Sequence, residues 1–144
     1  MASPRETIVP PRIPIFPLLG AVAVIALIAI CWAAGEVWET RRQNDAVARA
    51  LTGGDPSRAA ALVTRYGCGG CHTISGLPGA RGKVAPPLVD LRERVYIAGV
   101  LPNTAPNLIA WIVDPRTFSP RTAMPATGIS KVEARDVAAY LYAQ

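Results

Sequence analysis

The sequence predicts an all-α chain: a single N-terminal transmembrane helix, then a small domain of three main helices joined by long loops. Three observations predict it. Residues 13–35 read IPIFPLLGAVAVIALIAICWAAG, 23 residues without a charge. Three later stretches carry helix start and stop signals. Between them lie loops rich in glycine and proline, SGLPGARGKVAPP and PRTFSPRTAMPATG, with no alternating segment long enough to read as a strand.

The apolar run comes first. About 20 apolar residues, at ~1.5 Å of rise each, cross a bilayer core of roughly 30 Å. Pro14 and Pro17 stand at its start, where the first amides of a helix have no partner. Trp32 and Trp38 stand at its far end, the place for interfacial anchors. This assigns residues 1–14 to a short N-terminus and 15–35 to the membrane helix. A cleavable signal has a shorter apolar region, of about 7–15 residues, and Cys31 and Ala33 match a cleavage site weakly. A lipid-attached Cys31 would follow a small residue, and Ile30 is bulky, so Cys31 reads as a small apolar member of the helix. Arg5 and Arg12 precede the run, and Arg41, Arg42 and Arg49 follow it among Glu36, Glu39 and Asp45, so charge does not orient it.

Residues 36–54 are expected to form a helical stalk and hinge. EVWETRRQNDAVARAL lacks glycine and proline, whereas TGGDPS pairs flexible glycines with a helix-starting Asp-Pro. The domain proper, 55–144, is small enough to bury only a modest core without a staple or cofactor. Its first helix is PSRAAALVTRY, stopped by Gly67. Its second is TAPNLIAWIVD, capped near Asn103 or Thr104 and halted before Pro115. In SKVEARDVAAYLYAQ, Ser130 and Glu133 make a capping box and Ile129 a staple, while Ala134, Val137, Ala138 and Leu141 share one face. Long loops in so small a domain need a surface to pack on, which points to a large buried cofactor.

The stretch RYGCGGCHTI holds two of the three cysteines and the only histidine. A redox disulfide of thioredoxin type belongs near a βαβ pattern, and none is present. A structural zinc site takes four ligands. Cys68, Cys71 and His72 supply three, and no second cysteine pair or histidine follows. C-x-x-C-H is also the signature of covalent haem c attachment, in which each thiol adds to a vinyl group and the histidine ligates the iron. Counting then bears on the other axial ligand. Met124 is the only methionine besides the initiator, and it lies in the loop TAMPATG, so it is either a thioether ligand or a core gap-filler.

With CGGCH, VAPPL, LPNTAPNLIAWIVDP, AMP and a terminal helix ending AAYLYAQ, the sequence resembles a class I c-type cytochrome over nearly everything after Asp55. The likeness is nearest to the cytochrome c module fused to subunit II of caa3-type oxidases. One apolar segment rather than two, and no cupredoxin portion, lead us to expect that the chain is not such a subunit itself. Ala85 stands where the family usually has glycine before Pro86. The resemblance implies one covalent haem c on Cys68 and Cys71, with His72 and Met124 as axial ligands. It also implies that the Pro86 carbonyl accepts a hydrogen bond from His72. Leu88, Leu91, Leu101, Ile109 and Val113 would pack the haem faces, with Trp111 beside the porphyrin and Arg94, Tyr96 and Asn103 toward the propionates. The first helix would cross the last near Ala61, Tyr66, Tyr140 and Leu141.

An iron held on both sides has no vacant position, so the expected work is one-electron carriage without catalysis. No acid–base or nucleophilic constellation accompanies it. The expected role is delivery of electrons to a terminal respiratory oxidase, or service as a subunit of one. The alternatives are the electron-accepting subunit of a periplasmic dehydrogenase, and a haem sensor or peroxidase whose methionine dissociates. From residue 51 onward, ten Lys and Arg face six Asp and Glu. Arg81, Lys83, Arg116 and Arg121 flank the ligands and would steer the domain to an acidic patch on a redox partner. Dispersed bases argue against nucleic acid. Haem attachment in such bacterial proteins implies an inner-membrane protein with its haem domain in the periplasm.

Overall fold

The structure, a computed structural model, describes residues 15–144; the expected N-terminal segment 1–14 lies outside the described residues. It divides into a unit ending at Trp38 and a compact unit, Glu39–Gln144. Helix α1 (Ile15–Thr52) runs for 38 residues through both. In the first unit it is long and apolar enough to cross a membrane. Its described apolar side chains are exposed all round, including Leu19, Ile25, Ile28 and Ile30. A helix apolar on every face requires a non-aqueous surrounding, which fits a membrane anchor.

The compact unit is helical. A 3₁₀ turn, Pro56–Arg58, capped by the Asp55 side chain, leads into α2 (Ala59–Arg65). A single turn, α3 (Cys68–Cys71), follows. Then come α4 (Ala105–Val113) and α5 (Lys131–Tyr142). The three expected helices are thus α2, α4 and α5. Thr104 caps α4 by accepting the Asn107 N–H, and Asp114 and Pro115 end it. Ser130 and Glu133 make the expected capping box on α5. A hairpin not expected from the residue pattern joins β1 (Tyr96–Ile97) and β2 (Leu101–Pro102), paired antiparallel with Ile97 opposite Leu101. Two residues per strand are too few to display alternation. Ala98 and Gly99, at φ 51° and 70°, make the tight turn between them.

The core lies where α2 and α4 pack on α5. Leu62, Val63, Leu108, Trp111, Ile112, Val137 and Leu141 are buried there, and Ala134, Ala138 and Ala139 let the backbones approach. The α2–α5 crossing differs from the one the resemblance implies. Ala61 is exposed, because Ala59, Leu62 and Val63 form the inward stripe of α2. Tyr66 turns to the first turn of α5, its hydroxyl donating to the Glu133 carboxylate at 2.9 Å. Tyr140 instead donates to the Ser75 carbonyl at 2.7 Å.

The last turns of α1 belong to this unit, with Ala48 and Thr52 buried. The expected hinge is a packed joint. The Gly53 N–H donates to the Arg49 carbonyl at 2.8 Å, and Gly53, at φ +67°, turns the chain out of the helix. Gly54 lies so close to α5 that a Cβ there would collide with the Arg135 carbonyl. The Asp55 N–H then donates to the buried Asp136 carboxylate at 2.6 Å, and Arg49 pairs with Asp55 at 2.7 Å. Glycine serves close approach here rather than freedom.

Glu133 ties these helices by charge. The Ser130 hydroxyl and then the Tyr66 hydroxyl hold its carboxyl below the usual carboxylate range, with the Ser130 N–H adding to them. A carboxyl depressed on folding stabilises the fold above its unfolded value, near 4.5, and that stabilisation fades as pH falls through the lower folded value. Glu133→Gln is therefore expected to lower the melting temperature at pH 7. The gap from wild type should narrow progressively as pH falls below about 4.5, measured by circular dichroism melts across a pH series.

Candidate functional site

The Cys-Cys-His stretch starts where α2 stops. Gly67, at φ +69°, ends that helix and caps the single turn of α3. The His72 N–H donates to the Cys68 carbonyl at 3.0 Å and closes the turn, after which the backbone is extended. Residues three apart on a turn share one side, so the two sulfurs belong to the same face. Cys68 is half-buried against the core, Cys71 is exposed, and neither is in a disulfide. Burial pushes the Cys68 thiol up, the opposite of the lowered value an attacking redox thiolate has.

The loop 80–88 lies along this stretch and is pinned to it by backbone. The N–H groups of Gly82, Ala85 and Leu88 donate to the carbonyls of Gly69, Cys71 and Thr73 at 3.0, 3.0 and 2.8 Å. The Thr73 hydroxyl returns a bond to the Gly82 carbonyl at 2.8 Å. Two glycines make this approach possible. A Cβ on Gly69 would sit 2.8 Å from the Ala80 Cα, and one on Gly82 would collide with the backbone of Gly70 and Cys71. Ala85 is not among the residues with positive φ, so its departure from the family's glycine strains nothing.

This seating brings the Pro86 carbonyl to 2.8 Å from His72 Nδ1. A carbonyl only accepts, so Nδ1 carries the proton and Nε2 presents its lone pair. The half-buried imidazole is thereby fixed in the tautomer a metal ligand needs. Among the described residues, no three His, Cys, Asp or Glu side chains converge to hold a metal ion, which leaves the zinc reading without a site.

The other expected residues fall into three groups. Met124 lies in an irregular segment, half-buried against the core, its N–H donating to the Thr122 hydroxyl at 3.3 Å. Leu88 and Leu101 are half-buried likewise, and Leu91 and Trp111 are fully buried. Arg94 Nη2 donates to the carbonyls of Pro87 and Val89 at 2.6 and 2.9 Å. Both amide protons of Asn103 go to the carbonyls of Leu91 and Arg94, each at 2.7 Å, so in this structure Asn103 ties backbone rather than offering a donor to a carboxylate. Tyr96 is exposed on β1. Ile109 is buried and Val113 half-buried. They line a cleft of about 690 Å³ with Leu51, Phe118, Lys131 and Arg135, whose lining includes none of Cys68, Cys71, His72 and Met124.

Two unpaired thiols, an imidazole with a free ring nitrogen, a thioether and half-exposed apolar side chains fit a haem. Arg81, Lys83, Arg116 and Arg121 are exposed around these loops, and none of them is in an ion pair among the described residues. Sequence reasoning missed Gly82 and Tyr142. A glycine chosen for close approach looks like any loop glycine, and a helical tyrosine does not declare its partner.

Comparison with known proteins gives a concordant result. The profile of the family described as Cytochrome c matches residues 57–143. Over 75 residues the chain is 39% identical to cytochrome c oxidase subunit 2 of Alkalihalophilus pseudofirmus, covering 51% of this chain and 21% of that protein. Over 95 residues it is 30% identical to cytochrome c oxidase subunit 2 of Bacillus sp. strain PS3, covering 64% of this chain and 26% of that protein. The chain thus spans about a quarter or less of the length of these relatives. No solved structure matches it significantly.

The seating of the 80–88 loop has a direct test. Gly82→Ala forces that loop off the backbone of Gly70 and Cys71, and is expected to destabilise the domain by about 1–3 kcal/mol. Thermal melts and the pigment bound per chain should both fall.

Proposed function

The chain belongs to the cytochrome c family, and from that premise we propose that it is a membrane-anchored, monohaem electron carrier. It carries single electrons to a terminal respiratory oxidase, or serves as a non-catalytic subunit of one. The observation that carries this reading is the 2.8 Å bond between His72 Nδ1 and the Pro86 carbonyl, beside two unpaired cysteines one turn apart. Bound there, a haem c would supply a one-electron couple whose iron keeps its ligands in both oxidation states.

The chain's own residues have defined tasks in this reading. Cys68 and Cys71 would anchor the macrocycle by thioether bonds, and the helical turn between them holds both sulfurs on one face. His72 would present Nε2 to the iron while Pro86 holds its ring. Met124 would supply a thioether sulfur to the iron, a ligand that raises the reduction potential relative to two nitrogens. Trp111, Leu88, Leu91 and Leu101 exclude water around the macrocycle. Arg94 keeps guanidinium nitrogens beyond the one that bonds Pro87 and Val89, and with Tyr96 it is a candidate contact for the propionates. The exposed Arg81, Lys83, Arg116 and Arg121 favour a partner with an acidic docking patch. The two relatives named above are oxidase subunits, which favours an oxidase as that partner over a dehydrogenase. We place the haem domain on the periplasmic side of a bacterial inner membrane, with α1 as the anchor.

Three measurements test this reading. In protein purified from membranes, the pigment should survive acid–acetone extraction, and Met124→Ala should abolish the thioether-to-ferric charge-transfer band and generate high-spin iron. An unchanged band would remove Met124 from the iron, whereas wild-type protein lacking the band would reopen the sensor or peroxidase reading. For topology, a cysteine introduced at the exposed Val132 should react with an impermeant maleimide in intact spheroplasts. Protection there would reverse the assigned orientation.

A further inference from the structure

We infer that Tyr142, Asn103 and Arg94 form a hydrogen-bonded tie that positions the Pro86 carbonyl and so sets the donor strength of His72; the inference rests on the axial role of His72 proposed above. These are positioning residues, since none of them bonds His72 itself.

The tie runs inward from α5. Tyr142, buried near the end of that helix, donates its hydroxyl proton to Asn103 Oδ1 at 2.7 Å. The Leu91 and Arg94 carbonyls, both at 2.7 Å, only accept, so they fix the Nδ2 end of the amide and leave Oδ1 to accept from Tyr142. Arg94 is therefore held by its backbone while its side chain works. Nη2 grips the Pro87 carbonyl at 2.6 Å and the Val89 carbonyl at 2.9 Å.

Geometry carries the effect to Pro86. Its carbonyl belongs to the peptide bond that enters Pro87. That bond is planar, and the Pro87 ring fixes φ near about −65°. One soft torsion, ψ of Pro87, therefore separates the Pro86 carbonyl from the Pro87 carbonyl that Arg94 holds. On the other side, Ala85 and Leu88 are pinned to Cys71 and Thr73 by backbone bonds at 3.0 and 2.8 Å. The carbonyl that accepts the His72 proton is thus bracketed, and Arg94 closes the remaining rotation.

The chemical consequence has a sign. A firm bond from Nδ1–H to a carbonyl raises electron density on the ring and strengthens Nε2 as a donor. A stronger donor favours ferric over ferrous iron and lowers the potential. Loosening the tie should therefore raise it. Tyr142→Phe removes one hydroxyl while keeping ring volume and net charge. Arg94→Lys keeps the charge but loses the planar fork.

The experiment uses full-length holoprotein in detergent and reads the midpoint potential and the exchange rate of the His72 Nδ1 proton by paramagnetic NMR. Both variants should raise the potential and speed exchange, Arg94→Lys more than Tyr142→Phe. The double variant should shift little beyond Arg94→Lys alone, because Tyr142 acts through Arg94. A lowered melting temperature with unchanged potential and exchange would reduce the tie to a structural role and overturn the inference. So would a lowered potential in Arg94→Lys, which would mark direct action on the propionates. An iron spectrum indifferent to His72→Ala would sink the axial assignment itself, and the inference with it; a spectrum that responds isolates any failure to the tie.

Discussion

One hydrogen bond, from His72 Nδ1 to the Pro86 carbonyl, imposes most of the order around the candidate site. The chain has a single histidine, so its tautomer and tilt depend on that one acceptor. The acceptor sits in a proline pair, which gives it no backbone donor of its own to lock it in place. It must be held by its neighbours, and it is: Gly82, Ala85 and Leu88 bond the Cys-Cys-His backbone, and Arg94 grips the far side. The glycines that permit this approach are therefore as much part of the site as the side chains that would meet the haem.

Helix α5 organises the rest of the compact unit. Its first turn takes Tyr66 and Arg65 onto Glu133. Its backbone near Arg135 accepts the close pass of Gly54, and Asp136 accepts the Asp55 N–H. Its last turns reach Ser75 through Tyr140 and Asn103 through Tyr142. Loops without regular structure thus acquire fixed ends from one helix. Individually such bonds contribute about 1 kcal/mol, and more where a buried group would otherwise lack a partner. A small domain with so much irregular backbone needs several of them together with its cofactor.

Much of this was legible in residue types. The capping box, Asp55 before Pro56, Gly67 as a stop and Thr104 before Pro106 all act within a turn of themselves, so local rules found them. The Cys-x-x-Cys-His spacing was legible as a compact sequence pattern, whereas the Pro86 acceptor was only implied by the family resemblance, on which the structure agrees. What stayed hidden depends on approach over long separations. Gly53 and Gly54 read as a flexible hinge, yet Gly54 is a contact with α5, some eighty residues away in the chain. Asn103 read as a carboxylate contact, yet its amide bonds two carbonyls and a tyrosine from the last helix. Ile109 and Val113 were apolar in the right helix, but only the fold decides which cleft they line.

An electron carrier gains from ligands that do not move when the iron changes charge, because every displaced atom adds to the barrier. With His72 in its proposed axial role, the arrangement here would meet that demand by redundancy in backbone rather than by burial. Cys71 and Pro86 are exposed and His72 only half-buried, so close packing alone would leave the ring free to tilt. Backbone bonds on both sides of Pro86 restrain it instead, and they leave the nearby surface open. An open edge beside Val84, 84% exposed, and flanked by Arg81 and Lys83, combines an apolar contact with unpaired positive charge. Such a surface suits brief, steered encounters, in which charge speeds arrival and a small apolar area lets the partner leave. Rigidity at the ligand and exposure at the edge are thus two results of the same choice: holding the site through its backbone.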